Sequence, residues 1–476
     1  MEVPVATEAE TDLAAGFPAA TNDEWRAAVD KVLKGAPFER LSSTTADGLN
    51  IQPLYTAEEA AGLTDAAGFP GSAPFTRGAD AAPRPHGLWD LRAVVADPNV
   101  ADAAGWALRE LERGATSLLL RPDAAFRLND PSLAGCDGIR ITGLDDLDAA
   151  LNGVYLDLAP VHMEPGAAFG RAAELLVALW ERRSVDPADA RGGIGADPIG
   201  SLATTGELAD DALSELAELT KTLSATHPNV TVVAIDSSVV AEAGASPVQE
   251  LTYLLGSGAA YLRALAAAGV PVDTAVRSIE LSLTTDTDVF GSIAKLRAAR
   301  RVWAHLATSC GASDAASAPR IHVRTAQHMM TRRDPWVNLL RVTAATFAAG
   351  VGGAESVITL PFDSAVGESD ELGRRMARNT QVLLQEESHI GRVIDPAGGS
   401  WYIESLTDQL AAAAWSAFGE LESAGGVIES LASGSFGEQI AAVRTTREGL
   451  VATRRAPITV SASSQTSTKF RSNALR

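Results

Sequence analysis

A chain of 476 residues with a formal net charge of −21 and 46% hydrophobic residues can hold one large α/β domain plus a smaller element. That charge argues against nucleic acid or an anionic membrane surface as the main partner, while leaving room for a local basic site that takes an anionic ligand. Cys136 and Cys310 are too few for a disulfide framework, no apolar run of about 18 residues occurs, and the acidic start lacks signal-peptide form, so a cytoplasmic protein is expected.

Residues 1–20 read as a flexible arm. Thr21-Asn22-Asp23-Glu24 is a capping box; the helix it opens carries Trp25, Ala28, Val29 and Val32 on one face and stops at Gly35. Residues 69–78, FPGSAPFTRG, form a Pro/Gly loop. Residues 1–80 are thus expected to be an N-terminal helical arm and linker.

A repeated strand–helix alternation follows. The strand candidates are residues 88–95, 117–120, 154–158, 193–195, 231–235, 279–283, 321–324 and 357–360. The β-branched run at 230–235 has the form of a strand buried on both faces. Between the candidates, helical stripes recur: Val100, Ala103, Ala104, Ala107, Leu108 and Leu111, ended by Gly114; Leu213, Leu216, Thr220 and Leu223; and Leu251, Leu254 and Leu255. Eight such units predict a (β/α)8 barrel over residues 81–365. Helices at 370–387 and 406–421, separated by a turn-rich stretch at 392–405, predict a C-terminal helical linker region over 366–459. Residues 460–476 are rich in Ser and Thr without apolar period and are expected to be disordered.

In such a barrel the chemistry sits where strands end. After the 231–235 strand that place holds Ser237, Ser238, Val239 and Val240, none a good acid, base or metal ligand. Gly192-Gly193-Ile194-Gly195 lacks the spacing of a phosphate loop and reads as a tight strand-end turn. His322 and His328 have no Cys or carboxylate at ligand spacing, so structural or surface roles are expected. Arg297, Arg300 and Arg301 read as a solvated or salt-bridged helix face. Asp286 and Asp288 read as exposed loop carboxylates. Whether the Thr284-Thr285-Asp286-Thr287 run lines a pocket mouth stays open.

Several stretches together resemble the methylmalonyl-CoA mutase family: EWRAAVDKVLKG with NIQPLYTAEE, AKLRAARRVWAH, DPWVNLLRVT, NTQVLLQEE and DPAGGSWYIESLT, in order over most of residues 22–459. The resemblance implies a (β/α)8 barrel threaded along its axis by the pantetheine of coenzyme A and capped by a cobalamin-carrying, flavodoxin-like domain. The implied reaction is the radical interconversion of methylmalonyl-CoA and succinyl-CoA, started from adenosylcobalamin.

The positions that the resemblance assigns to substrate contacts hold other residues here. In Trp89-Asp90-Leu91-Arg92-Ala93-Val94, Val94 stands where the family has Tyr. In Ser237 to Ala245, Val239 replaces a His, while Glu242-Ala243-Gly244-Ala245 is intact. In Gly192 to Asp197, Gly195 replaces a Gln, and Thr205 falls where an Arg would pair with the substrate carboxylate. Removing such donors costs several kcal/mol of transition-state stabilisation each. This is the pattern of the small subunit of the heterodimeric bacterial enzyme, so no catalytic residue, cofactor-binding residue or metal ligand is expected on this chain. Adenosylcobalamin is expected on a catalytic large-subunit partner, with vestigial CoA-ester binding left open here. The alternative is a barrel enzyme acting on a CoA ester with a different residue set. None of the seven histidines has Asp two residues before it, as the family's cobalamin motif requires. Residues 460–469 read as a one-base-shifted translation of a family-like continuation, G-V-S-E-F-P-N-L-D-E. A frameshift that shortens a longer subunit is therefore expected, and sequencing the gene tests it.

Overall fold

The computed structural model describes residues 16, 20–82 and 89–459. Most of the expected arm, the start of the first strand candidate and the tail at 460–476 lie outside the described residues.

The chain divides into a unit ending at Tyr55 and a larger one beginning at Thr56. In the first, α1 (Asn22–Leu33) begins with the capping box read from the sequence: the Thr21 hydroxyl accepts from the Glu24 amide, and the Glu24 carboxylate accepts from the Thr21 amide. The chain leaves α1 through Lys34 and Gly35, both at positive φ. The apolar face assigned to this helix is not a core face. No residue of α1 is buried, and Val32 is 79% exposed. Among its described residues the unit adds a short 3-10 helix, Phe38–Leu41, and a short hairpin, Ser43–Thr44 with Asn50–Ile51, too little to form a second layer.

The larger unit is a (β/α)8 barrel. Its strands are β1 (Asp90–Val95), β2 (Ser117–Leu120), β3 (Val161–Met163), β4 (Gly192–Ala196), β5 (Val230–Asp236), β6 (Ile279–Thr285), β7 (Arg320–Thr325) and β8 (Ser356–Ile358). All pair in parallel with their sequence neighbours. The sheet closes where β8 meets β1, Ser356 opposite Asp90 and Val357 opposite Leu91. Seven of the eight strand candidates overlap these strands. The third does not: residues 154–158 alternate buried Val154 and Leu156 with exposed Tyr155 and Leu158, a strand-like pattern produced by turns. The backbone closes on itself there, the Leu158 and Ala159 amides both reaching the Tyr155 carbonyl, and β3 forms at Val161 instead.

The glycine run is not a strand-end turn but β4 itself. Gly192 (φ +138°) and Gly195 (φ +76°) bend it, and a Cβ on either would lie 1.9 or 2.0 Å from a carbonyl oxygen of β3 or its end. The register toward β5 shifts between Gly193 and Ala196, as a bulge requires.

Around the sheet run α2 (Val100–Glu112), α3 (Pro198–Thr205), α4 (Ser238–Ala243), α5 (Pro247–Ala267), α6 (Val289–Ser309), α7 (Val337–Val351), α8 (Glu371–Glu386), α9 (Trp401–Ser423) and α10 (Ser435–Ala452). Ser246 and Gln249 form a capping box at α5, with Pro247 at its first turn. α8 covers β1: Gln381 accepts from the Trp89 indole at 2.9 Å, Gln385 donates to the Trp89 carbonyl at 2.8 Å, and Arg378 pairs with Glu110 at 2.7 Å. α9 starts at Trp401, capped by Ser400, so the turn-rich stretch is shorter than the sequence suggests. Gly426–Ala432 and α10 extend the helical region beyond the last helix read from sequence.

Of the two readings of the α6 arginines, a solvated or a salt-bridged face, the structure shows salt bridges, and buried ones for Arg297. Arg297 and Arg300 are at most 1% exposed. Arg297 pairs with Asp395 and, at 2.7 Å, with Glu404 of α9; Arg77 reaches the same Asp395 at 3.0 Å. Arg300 donates to the carbonyls of Gly352 and Gly353 just past α7. Only Arg301, paired with Asp408 at 2.8 Å, is partly open to solvent.

Candidate functional site

In parallel strands, residues early in a strand lie deeper below the C-terminal mouth than late ones. The deepest polar layer is set by Arg92 of β1 and Glu280 of β6, which meet in a two-pronged ion pair at 2.9 and 3.2 Å. β1 and β6 are not neighbours in the closed sheet, so the pair crosses the barrel interior. Burial pushes the Glu280 carboxyl up, but the adjoining Arg92 guanidinium more than offsets this and holds it far below the usual carboxylate range. Beside the pair stand His162 of β3 and His322 of β7. Burial, reinforced by Arg92, pushes His162 down to about 4 and His322 well below its ordinary value, so both are neutral at pH 7. His322 Nδ1 lies 2.7 Å from the Ser356 hydroxyl.

A second layer sits where the strands end. Glu164, just past β3, faces Arg324 of β7 at 3.2 Å and Arg121, just past β2, at 3.5 Å. Arg121 and Arg127 converge on Asp137 at 3.1 and 2.6 Å. Asp197 caps α3 through the Gly200 amide at 2.9 Å and accepts from the Asp236 amide at 3.0 Å and from the Tyr261 hydroxyl. Burial raises its carboxyl to about 6 despite these bonds.

On the rim, His328 stands between Glu242 of α4, 3.6 Å from Nδ1, and Asp286, 3.5 Å from Nε2. Glu242 also accepts from the Gln327 and His328 amides at 2.6 and 2.8 Å. Burial alone would depress the imidazole, but hydrogen bonds and attraction from the two carboxylates raise it to about 9. The loops after β5, β6 and β7 are thereby joined by one imidazolium.

These layers line a cavity of about 340 Å³, and a neighbouring one of about 270 Å³ shares Arg92, Arg121, Glu164 and Arg324 with it. Of the positions singled out in the sequence, Gly195, Thr205 and Val239 together line the larger cavity, and Val94 lines the smaller. The Thr205 hydroxyl donates back to the Ser201 carbonyl at 2.8 Å. His322 is buried in the barrel. Asp288 is exposed and caps α6, whereas Asp286 is half-buried against His328, contrary to the reading of two exposed carboxylates. Thr284 and Thr285 are buried and line neither cavity; Thr284 bonds Glu250 at 2.8 Å through its amide.

Sequence reasoning missed Arg92, His162, Glu164, Glu280 and Arg324 as a set. A signal existed: D-L-R-A-V-V, V-H-M, I-E-L-S-L-T and I-H-V-R each place a charged or imidazole residue inside an otherwise apolar strand. In a barrel such residues must face one another or stand unpaired in the core. His162 and His322 lie deep in the barrel, and both ring nitrogens of His328 face carboxylates.

A closed (β/α)8 barrel with its polar residues gathered toward the C-terminal mouth is the architecture of barrel enzymes and their kin. The chain belongs to the methylmalonyl-CoA mutase family, whose model matches residues 44–469. It is 45% identical over 455 residues to the methylmalonyl-CoA mutase small subunit of Streptomyces virginiae, covering 94% of this chain and 71% of that one. It is 38% identical to the small subunit of Propionibacterium freudenreichii subsp. shermanii, covering 95% and 70%. To the methylmalonyl-CoA mutase of Escherichia coli K12 it is 29% identical, covering 86% and 59%.

Proposed function

We propose that this chain is the non-catalytic small subunit of an adenosylcobalamin-dependent methylmalonyl-CoA mutase, working in the cytoplasm as one half of a heterodimer with a catalytic large subunit. The observation that carries this reading is the Arg92–Glu280 pair. It crosses the interior along which the family resemblance would thread pantetheine, and Asp90 flanks it at 3.6 Å. Displacing it would strand two buried charges, at a cost of several kcal/mol. Above the pair, Arg121, Arg127 and Arg324 already face Glu164 or Asp137, leaving little free positive charge for an acyl carboxylate. Val94, Gly195, Thr205 and Val239 offer the substrate no charge either. The chain's contribution is then its surface, and adenosylcobalamin belongs to the large subunit.

The test is turnover and co-purification. The lone chain with adenosylcobalamin and methylmalonyl-CoA should form no succinyl-CoA, and it should co-purify with a large subunit whose activity it supports. Turnover by the lone chain would favour the second reading, a barrel enzyme acting on a CoA ester with different residues. Asp197 is the observation on that side: it lines the larger cavity, and its carboxyl, raised to about 6, suits proton transfer near neutral pH.

A further inference from the structure

The charges around the larger cavity are unevenly placed. On one side stand Arg121 and Arg127, just past β2, and Arg324 of β7. These three guanidiniums share two carboxylates, Glu164 and Asp137. On the other side stand Asp197, just past β4, and Asp236, at the end of β5. Both are held by amides and hydroxyls rather than by cations. In the closed sheet β8 and β1 lie between β7 and β2, so β4 and β5 face this arc across the axis. The cavity therefore has a positive and a negative wall.

Each wall keeps atoms open to a ligand. Arg324 donates only from Nη2, to Glu164 at 3.2 Å. Its Nε and Nη1 have no hydrogen-bond partner among the described residues and are not sealed from solvent, whereas the unpartnered Nε atoms of Arg92 and Arg121 are sealed. The Arg121 side chain is 30% exposed and meets its two carboxylates at 3.1 and 3.5 Å. Asp236 accepts at Oδ1 from the Ser238 amide at 2.9 Å and the Ser282 hydroxyl at 3.2 Å. Its Oδ2 has no partner among the described residues and is not sealed either. Burial works against the Arg324 charge, but Glu164 and then Asp236 more than offset it. Arg324 and Asp236 thus feel one another across the cavity without forming an ion pair. Opposite charges held apart in a half-buried site are each incompletely compensated. A ligand carrying both signs completes both, and it brings no net charge into the barrel.

We propose that the barrel mouth binds a small zwitterionic amino acid, its carboxylate on Arg324 and Arg121 and its ammonium on Asp236 Oδ2. The cavity, about 340 Å³, has room for a short side chain against Ala234 and Val239. A lone anion meets Asp236 and Asp197 as well as the arginines, and a lone cation meets the arginines as well as the carboxylates, so either half binds more weakly than the whole. The site needs neither catalysis nor pairing with another subunit.

The experiment uses the full chain with isotope-labelled arginine, follows the guanidinium signals by NMR at neutral pH, and measures affinity by calorimetry. Alanine and β-alanine are the zwitterionic probes, differing in the spacing of their charges; propionate and propylammonium each carry one charge. The expected result is a saturable shift of the Arg324 signals with at least one zwitterion, about tenfold or more tighter than with either singly charged probe. Asp236→Asn keeps an acceptor for the Ser238 amide and removes the charge; it should lower amino-acid affinity to the level of propionate. Val239→Trp leaves every charged group in place and fills the cavity from the rim, so it should abolish binding in a chain with unchanged melting temperature. Linear, unsaturated shifts with both zwitterions would overturn the proposal. So would equal affinity for propionate, or binding that survives Asp236→Asn and Val239→Trp unchanged.

Discussion

Two buried arginine assemblies, one inside the barrel and one in its helical jacket, use the same chemistry for different ends. Arg297 ties α6 to Asp395 and Glu404, joining the AKLRAARRVWAH and DPAGGSWYIESLT stretches that carry the family resemblance. Its work is architectural, and the carboxylates it meets lie outside the sheet. Arg92 and Glu280 instead meet inside the barrel, in a lining that also holds His162, His322 and Arg324. The jacket pairs hold the fold; the interior pair fills its axis. A buried ion pair by itself therefore says little about purpose, and its place in the topology says much.

The strongest way to break the comparison is to remove one jacket charge. Arg297→Met leaves Asp395 and Glu404 buried with one cation fewer and should cost about 3–5 kcal/mol in chemical denaturation. A loss below about 1 kcal/mol would show that the jacket does not depend on this arginine.

The interior pair should behave differently. Arg92→Ser alone should cost about 3 kcal/mol, because Glu280 is left without its guanidinium. Arg92→Ser combined with Glu280→Ser should cost less than the two single changes added together. The double variant should also take up CoA in equilibrium dialysis where the parent does not. Additive losses and no uptake would remove the pair from its role as a plug.

The rim supplies a pH test. The His328 imidazole is raised to about 9 from an unfolded value of about 6.5. Its stabilisation is complete below about pH 6.5 and lost as pH rises through about 9. Between pH 6.5 and 10 the native chain should lose on the order of 2 kcal/mol from this group, and His328→Gln should flatten that part of the profile. A His328 signal titrating near 6.5 would contradict the clamp.

The smallest effect belongs to the first unit. Thr21→Ala removes the capping box of α1 and should cost that helix about 1 kcal/mol, seen as fraying in hydrogen exchange around residues 22–25, with barrel stability unchanged.

Much of the barrel was legible because strands buried on both faces advertise themselves and the helices between them keep their period. Residues 154–158 misled because turns can bury alternate side chains as a strand does. The glycine run looked like a turn because Gly192 and Gly195 do carry turn-like torsions, but within a paired strand. At the site, Val94, Gly195, Thr205 and Val239 could be placed through the family text. For the ion pairs that occupy the space, charged residues within apolar strands were the signal, but Arg92 and Glu280 are 188 residues apart and no local spacing announces which residue meets which.

The seam between β8 and β1 has a consequence for biosynthesis. Asp90 finds its partner only when Ser356 has been made, so during translation the leading strand spends on the order of tens of seconds with one bare edge. A nascent sheet in that condition can recruit a stray strand from another chain. For this polypeptide the hazardous interval is therefore the period before release from the ribosome, and substitutions that weaken the seam should lower soluble yield more than they lower the melting temperature of molecules that have already matured.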